Sequence, residues 1–131
     1  MTNYSFEVDR QHLQNTQITE LPDPKIQNGE ANIRVDQFAV TANNITYGVA
    51  GDMTGYWQFF PAQGQWGRIP VWGKGTVIDG GETALKNGDE YYGYYPMASY
   101  LIVKPTDVSP RSFIDGSEHR VRLPPVYIQY S

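Results

Sequence analysis

Glycine and proline interrupt this chain thirteen and nine times in 131 residues, so few stretches are long enough to wind a long helix. Between the breakers lie short runs of β-branched and aromatic residues at 4–8, 31–41, 69–78, 90–95, 98–103, 120–123 and 126–130. Runs of this length and spacing predict a sandwich or barrel, and the expected class is mainly β with few short helices. The length fits one domain, 1–131, able to bury roughly two thirds of the surface its unfolded form exposes. No covalent staple adds to that core, because the chain has no cysteine.

The clearest strand is Ala31-Asn32-Ile33-Arg34-Val35, where apolar and polar residues alternate with period two. Phe38 and Val40 continue the pattern out of phase, which a one-residue bulge near Asp36-Gln37 explains by returning both sets to the core face. Asn28-Gly29, Asp79-Gly80-Gly81 and Asn87-Gly88-Asp89 read as turns, since Gly and Asn adopt positive φ cheaply. Between 43 and 66 neither period fits. That stretch predicts a functional or partner-covered loop, with one helical turn near 43–49.

Several chemistries are excluded or left unsupported. The absence of cysteine removes thiol catalysis, Cys-ligated zinc and iron–sulfur clusters, and leaves His12 and His119 as the whole imidazole supply. A net charge of −4 is the wrong sign to grip nucleic acid. Neither a membrane-spanning run nor a signal peptide is visible, so the expectation is a soluble, cytoplasmic protein without a membrane or nucleic-acid partner. Gly73-Lys74-Gly75 begins like a dinucleotide fingerprint but lacks the third glycine and the following helix. Asp115 and Glu118 lie close enough in sequence to orient His119 as a base, yet no strained serine accompanies them; Glu118-His119-Arg120 reads better as a solvated approach to a strand.

The anomaly is aromatic. Of ten Tyr, five Phe and three Trp, Tyr56, Trp57, Phe59, Phe60, Trp66 and Trp72 crowd into one stretch. Such rings either fill the core or line a cleft or interface. Together with Asn43, Asn44 and Tyr47 they have the make-up of an apolar pocket with a few hydrogen-bonding groups, and the candidate substrate-binding set is Asn43, Asn44, Tyr47, Tyr56, Trp57, Trp66 and Trp72.

The segment Val35-Asp36-Gln37-Phe38-Ala39-Val40-Thr41-Ala42-Asn43-Asn44-Ile45-Thr46-Tyr47, then Gly55-Tyr56-Trp57-Gln58-Phe59-Phe60-Pro61, Trp66-Gly67-Arg68-Ile69-Pro70-Val71-Trp72-Gly73, Tyr92-Gly93-Tyr94-Tyr95-Pro96 and Leu123-Pro124-Pro125-Val126-Tyr127 resembles the amino-terminal part of an uncharacterised bacterial family known only as a domain of unknown function. More distantly the chain is similar to the medium-chain dehydrogenases/reductases, whose amino-terminal domain is a GroES-like, partly open β-barrel and whose second domain is a Rossmann fold. By that resemblance, Asn44 matches the substrate-side Asn of zinc-free quinone and enoyl reductases, and Tyr47 and Tyr56 fall near their proton-donating tyrosines. Trp72-Gly73-Lys74 stands where the zinc-binding branch has Gly-His-Glu, which implies zinc-independent chemistry. The resemblance also implies that NAD(P)H arrives only with a second domain, before which this chain stops.

Three readings follow. The barrel is the substrate-side domain of a zinc-free reductase-like protein acting on a small planar or carbonyl substrate, not competent alone, and either truncated or completed by another chain. Alternatively it is a non-catalytic homo-oligomeric module, joined through its aromatic loop or an unblunted strand edge at 126–130. The third reading is an aromatic surface for sugars.

Overall fold

In the computed structural model, which describes residues 2–49, 56–120 and 125–131, the chain is mainly β and its principal sheet curls into a GroES-like, partly open barrel. The strands are β1 Tyr4–Asp9, β2 Thr16–Glu20, β3 Ala31–Ala39, β4 Trp66–Gly67, β5 Pro70–Asp79, β6 Glu90–Pro96, β7 Tyr100–Val103, β8 Pro105–Thr106, β9 Phe113–Asp115 and β10 Gln129–Tyr130. The helical elements are α1, Ala42–Val49, and two 3₁₀ turns at Tyr56–Gln58 and Pro125–Tyr127.

Four strands in the order β6-β5-β3-β7 make the barrel wall, all antiparallel. The wall closes because the chain runs on from β7 into β8, β8 pairs with β9 and β9 with β10. Tyr92 of β6 then exchanges both backbone hydrogen bonds with Ser131, at 2.6 and 3.1 Å. The closing ladders are only two residues long, and this is where the barrel is weakest. A second sheet, β2-β1-β4, lies alongside, tied to the wall through Phe6 N–H to the Met97 carbonyl and Ser99 N–H to the Tyr4 carbonyl. Ile33, Val71, Val77, Tyr95, Leu101, Val103 and Phe113 fill the interior, each at most 6% exposed.

The bulge is where the phase slip places it, but it does not return the second set to the core, because Phe38 and Val40 lie past the buried part of the strand and are exposed. After an earlier shift between Asn32 and Ile33, β3 pairs with β5 in register from Ile33↔Val77 to Val35↔Gly75 and resumes at Gln37↔Lys74, leaving Asp36 as the extra residue. Its carboxylate accepts hydrogen bonds from the Thr76 hydroxyl and from Arg34 Nε, 2.8 Å away. Burial alone would raise its pKa, but those two bonds and the Arg34 and Lys74 cations outweigh it and hold the group below its ordinary value. A carboxyl with a depressed folded pKa contributes stability that is present above its unfolded pKa and fades as pH falls through the folded one. Asp36→Asn is therefore expected to flatten the acid limb of urea stability below about pH 4, by no more than about 1 kcal/mol for a pair this exposed.

The turns carry the backbone signature expected of them, with φ of 81° at Gly29, 54° at Gly81 and 95° at Gly88. Elsewhere the structure corrects the sequence reading. The run 126–130 is not one strand: Pro125 opens a 3₁₀ turn, and only Gln129–Tyr130 is extended. Nor is that segment an open edge, since β10 is flanked by β9 and by Tyr92, with Tyr130 wholly buried. β2 went unread because Thr16–Glu20 is mostly polar and, among the described residues, pairs with β1 alone. Of the expected strand 120–123, Arg120 lies in a turn and the remainder falls outside the described residues.

Candidate functional site

The local geometry begins with α1. Asn44 places its side-chain oxygen 2.5 Å from the Thr41 N–H and receives the backbone carbonyl of Thr41 at its own N–H, 3.0 Å away, a reciprocal cap of the helix start. Its side-chain amide also donates to the Pro70 carbonyl at 3.0 Å, so the helix is fastened to the first residue of β5. Asn44 is 3% exposed and acts as a positioning residue. Tyr47 lies one turn further along the helix, and Trp72 two residues beyond Pro70 on β5.

Those two rings meet around a third. Tyr94 is wholly buried, with Tyr47 edge-on at 5.8 Å, Trp72 tilted at 4.4 Å, Tyr127 stacked at 4.7 Å and Phe59 edge-on at 5.3 Å. Tyr92 extends the array outward, stacked on Trp72 at 5.7 Å and 14°, with half its surface exposed. The register explains the grouping, since Trp72 lies opposite Tyr94 and Lys74 opposite Tyr92, all four on one face of the β5–β6 ladder. Phe38, Trp72, Lys74 and Tyr92 wall a shallow cavity of about 330 Å³.

Tyr47 and Trp72 are thus brought to one ring cluster, Asn44 ties their elements together from the side of the Pro70 carbonyl, and the other described candidates join neither. Trp57 is buried with Val8 and Ile69, against Gly67, whose α-carbon could carry no side chain because a Cβ would stand 2.5 Å from the indole. Trp66 lies on β4 opposite Asp9 and joins neither group. Trp57, Phe59 and Phe60 belong to the core and do not line an open loop, because 3₁₀ and bridge contacts fold this stretch inward. The side chains of Asn43 and Tyr56 fall outside the described residues. Tyr92, Tyr94 and Tyr127 are what the sequence reading missed; the alternation Tyr92-Gly93-Tyr94 opposite Trp72-Gly73-Lys74 was the available signal.

Arg120 requires a correction. It is wholly buried, pairs with Asp115 at 2.8 Å, and donates to the Tyr130 hydroxyl and the Tyr127 carbonyl at 2.6 Å each. The Phe60 ring centroid lies 4.7 Å from its guanidinium carbon. Asp115 further accepts from Lys104 N–H, Ser117 N–H and the Ser117 hydroxyl. With its carboxylate so engaged, Asp115 does not orient His119, which is exposed and has Nδ1 3.1 Å from the Gln58 carbonyl. Burial raises the Tyr130 and Tyr95 hydroxyls far above the ordinary tyrosine value, and each already donates its proton to a backbone carbonyl, of Tyr94 and Tyr91 respectively.

The glycine pair singled out in the sequence lies in a strand. Gly73 and Gly75 lie within β5, where a Cβ would stand 2.5 Å from the Gln37 carbonyl and 2.7 Å from that of Arg34. These glycines permit strand approach and cradle no phosphate. Among the described residues no three His, Cys, Asp or Glu side chains come together to hold a metal, and no helix is long and apolar enough to cross a membrane.

A family model described as "Protein of unknown function (DUF2855)" matches residues 38–131. No curated protein matches the chain. Among solved structures it is similar to Haloferax mediterranei glucose dehydrogenase in complex with NADP, Zn and gluconolactone, at TM-score 0.55 and 15% identity over 91% of this chain and 40% of that one. It is likewise similar to the quinone oxidoreductase from Coxiella burnetii, at 0.53 and 14% over 98% and 40%, and to a mycobacterial protein complexed with NADPH, at 0.51 and 20% over 82% and 34%. At these identities the likeness is one of fold, and the chain spans only 34% to 40% of those three proteins.

Proposed function

The chain belongs to the DUF2855 family of proteins of unknown function, and from that premise we propose that its barrel is the substrate-side domain of a zinc-free, medium-chain reductase-like protein, incompetent alone, for which a Rossmann domain supplies NAD(P)H. The observation that supports this reading is the convergence of Tyr47 and Trp72 on Tyr94 beside a cavity walled by Phe38, Trp72, Lys74 and Tyr92. In this reading a small planar or carbonyl substrate stacks against Trp72, a partly buried indole at the cavity wall, in place of the buried Trp57 and the distant Trp66. Asn44 sets the position of α1, and Tyr47 is the candidate proton donor. The hydride comes from the nicotinamide when that is bound, which this reading assigns to the second domain. The barrel orients the acceptor and shields one side of it from water.

Calorimetric titration of the 131-residue chain tests the division of labour. NADPH is expected to give no binding heat. 1,4-Naphthoquinone, as a planar carbonyl probe, is expected to bind weakly and to lose about tenfold in affinity in Trp72→Ala, the equivalent of about 1.4 kcal/mol of stacking. Micromolar NADPH affinity would overturn the placement of the cofactor, and quinone binding that ignores Trp72 would overturn the placement of the substrate.

A further inference from the structure

On the other side of α1 lies a larger cavity, about 720 Å³, between the β1–β2 hairpin, the end of β3 and the helix. It shares Asn44 and the edge residue Phe38 with the candidate site above, and none of Tyr47, Trp72, Lys74 or Tyr92 lines it. We propose that this cavity is a binding site for an uncharged, largely apolar small molecule, separate from the reductase reading and independent of it.

Size, charge and exposure carry the inference. The volume is within the range of pockets that enclose a drug-sized ligand. None of the described lining residues carries a charge, and the only side-chain hydrogen-bonding groups besides the Tyr4 phenol are those of Thr16, Asn44 and Ser99. An ionic headgroup would lose its hydration here and find no counter-charge. Ser99 accepts the Tyr4 N–H at 3.0 Å and keeps its hydroxyl proton to donate, and Asn44 keeps one amide proton beyond its bond to Pro70. The site thus offers one or two hydrogen bonds to a carbonyl or ether oxygen within apolar walls.

Val8 and Ile69 form a buried floor, while Ile18, Val40 and Ile45 at the mouth are 71%, 64% and 57% exposed. Large aliphatic side chains gathered around one opening are costly in water and mark a surface that something covers. The concavity favours a ligand over a protein face, because protein interfaces carry a polar, charged rim and this mouth has none among the described residues.

Titration with N-phenyl-1-naphthylamine, a neutral fluorophore, against its anionic relative 8-anilinonaphthalene-1-sulfonate tests the proposal. The expected result is saturable one-to-one binding of the neutral probe, with the sulfonate at least about tenfold weaker. Ile18→Glu and Ile45→Glu, both at exposed positions that leave the melting temperature unchanged, should weaken the neutral probe about tenfold. Val126→Glu, exposed but outside the cavity, should not. Non-saturating binding, equal affinity for the sulfonate, or equal loss in Val126→Glu overturns the proposal. So does light scattering that shows a dimer dissociated by Ile18→Glu and Ile45→Glu while the neutral probe fails to bind, since a second copy then covers the face.

Discussion

Arg120→Ala is expected to cost roughly 3–5 kcal/mol, enough to unfold much of a domain this size, because it strands the wholly buried Asp115 carboxylate without its cation. The same substitution releases the Tyr127 carbonyl and the Tyr130 hydroxyl, which in turn donates to the Tyr94 carbonyl. The closing ladders β8-β9-β10 are two residues long, so this ion pair does work there that backbone hydrogen bonds do elsewhere in the barrel. Arg120→Lys should recover only part of the loss, since a single ammonium cannot reach Asp115, Tyr130 and Tyr127 as the planar fork does. Removing both charges in Asp115→Asn with Arg120→Met should be milder than Arg120→Ala alone, because no unpaired charge is left. Urea denaturation of the four proteins measures this. An Arg120→Ala loss under about 1 kcal/mol would show that water reaches Asp115 and that the pair is not a keystone.

Trp57→Ala should cost a similar amount, roughly 3–5 kcal/mol, and abolish the cooperative melt. The indole is 8% exposed, sits between Val8 and Ile69, and closes against Gly67, so truncation leaves a void that backbone on one side cannot fill. Trp57 Nε1 is buried without a hydrogen-bond partner among the described residues, and Trp57→Phe removes that desolvated N–H along with some volume. Trp57→Phe should therefore be far milder than Trp57→Ala, by at least about 2 kcal/mol. Thermal melts followed by near-ultraviolet circular dichroism separate the outcomes. A Trp57→Ala protein that melts normally would place the indole at a surface and restore it to the ligand-binding candidates.

Much of the barrel was legible because period-two alternation is a local property. Ala31 to Val35 alternates, the phase slips at Asp36-Gln37, and the register breaks at that step. Glycines before and after the strands gave the turns for the same reason, since positive φ is a demand on a single residue. The terminal segment was misread because Val126-Tyr127-Ile128 has the composition of a strand while Pro125 and the Arg120 bond to the Tyr127 carbonyl fold it into a 3₁₀ turn. Arg120 was misread because charge predicts exposure unless a partner is known, and its partners lie on three separate elements.

What the sequence by itself determined is the mainly β class, the bulge, the turns and the short helix near 43–49, all of which depend on residues within a few positions of one another. It also determined that no cysteine chemistry occurs here. Only the tertiary structure decided which rings are core and which stand at a cavity. Trp57 and Trp72 are equally apolar and lie fifteen residues apart, yet one closes on Gly67 while the other faces Tyr92 across a β-ladder. The difference arises from which strand each side chain meets and on which face of the sheet. That is set by long-range pairing register, which no local pattern of residue types encodes.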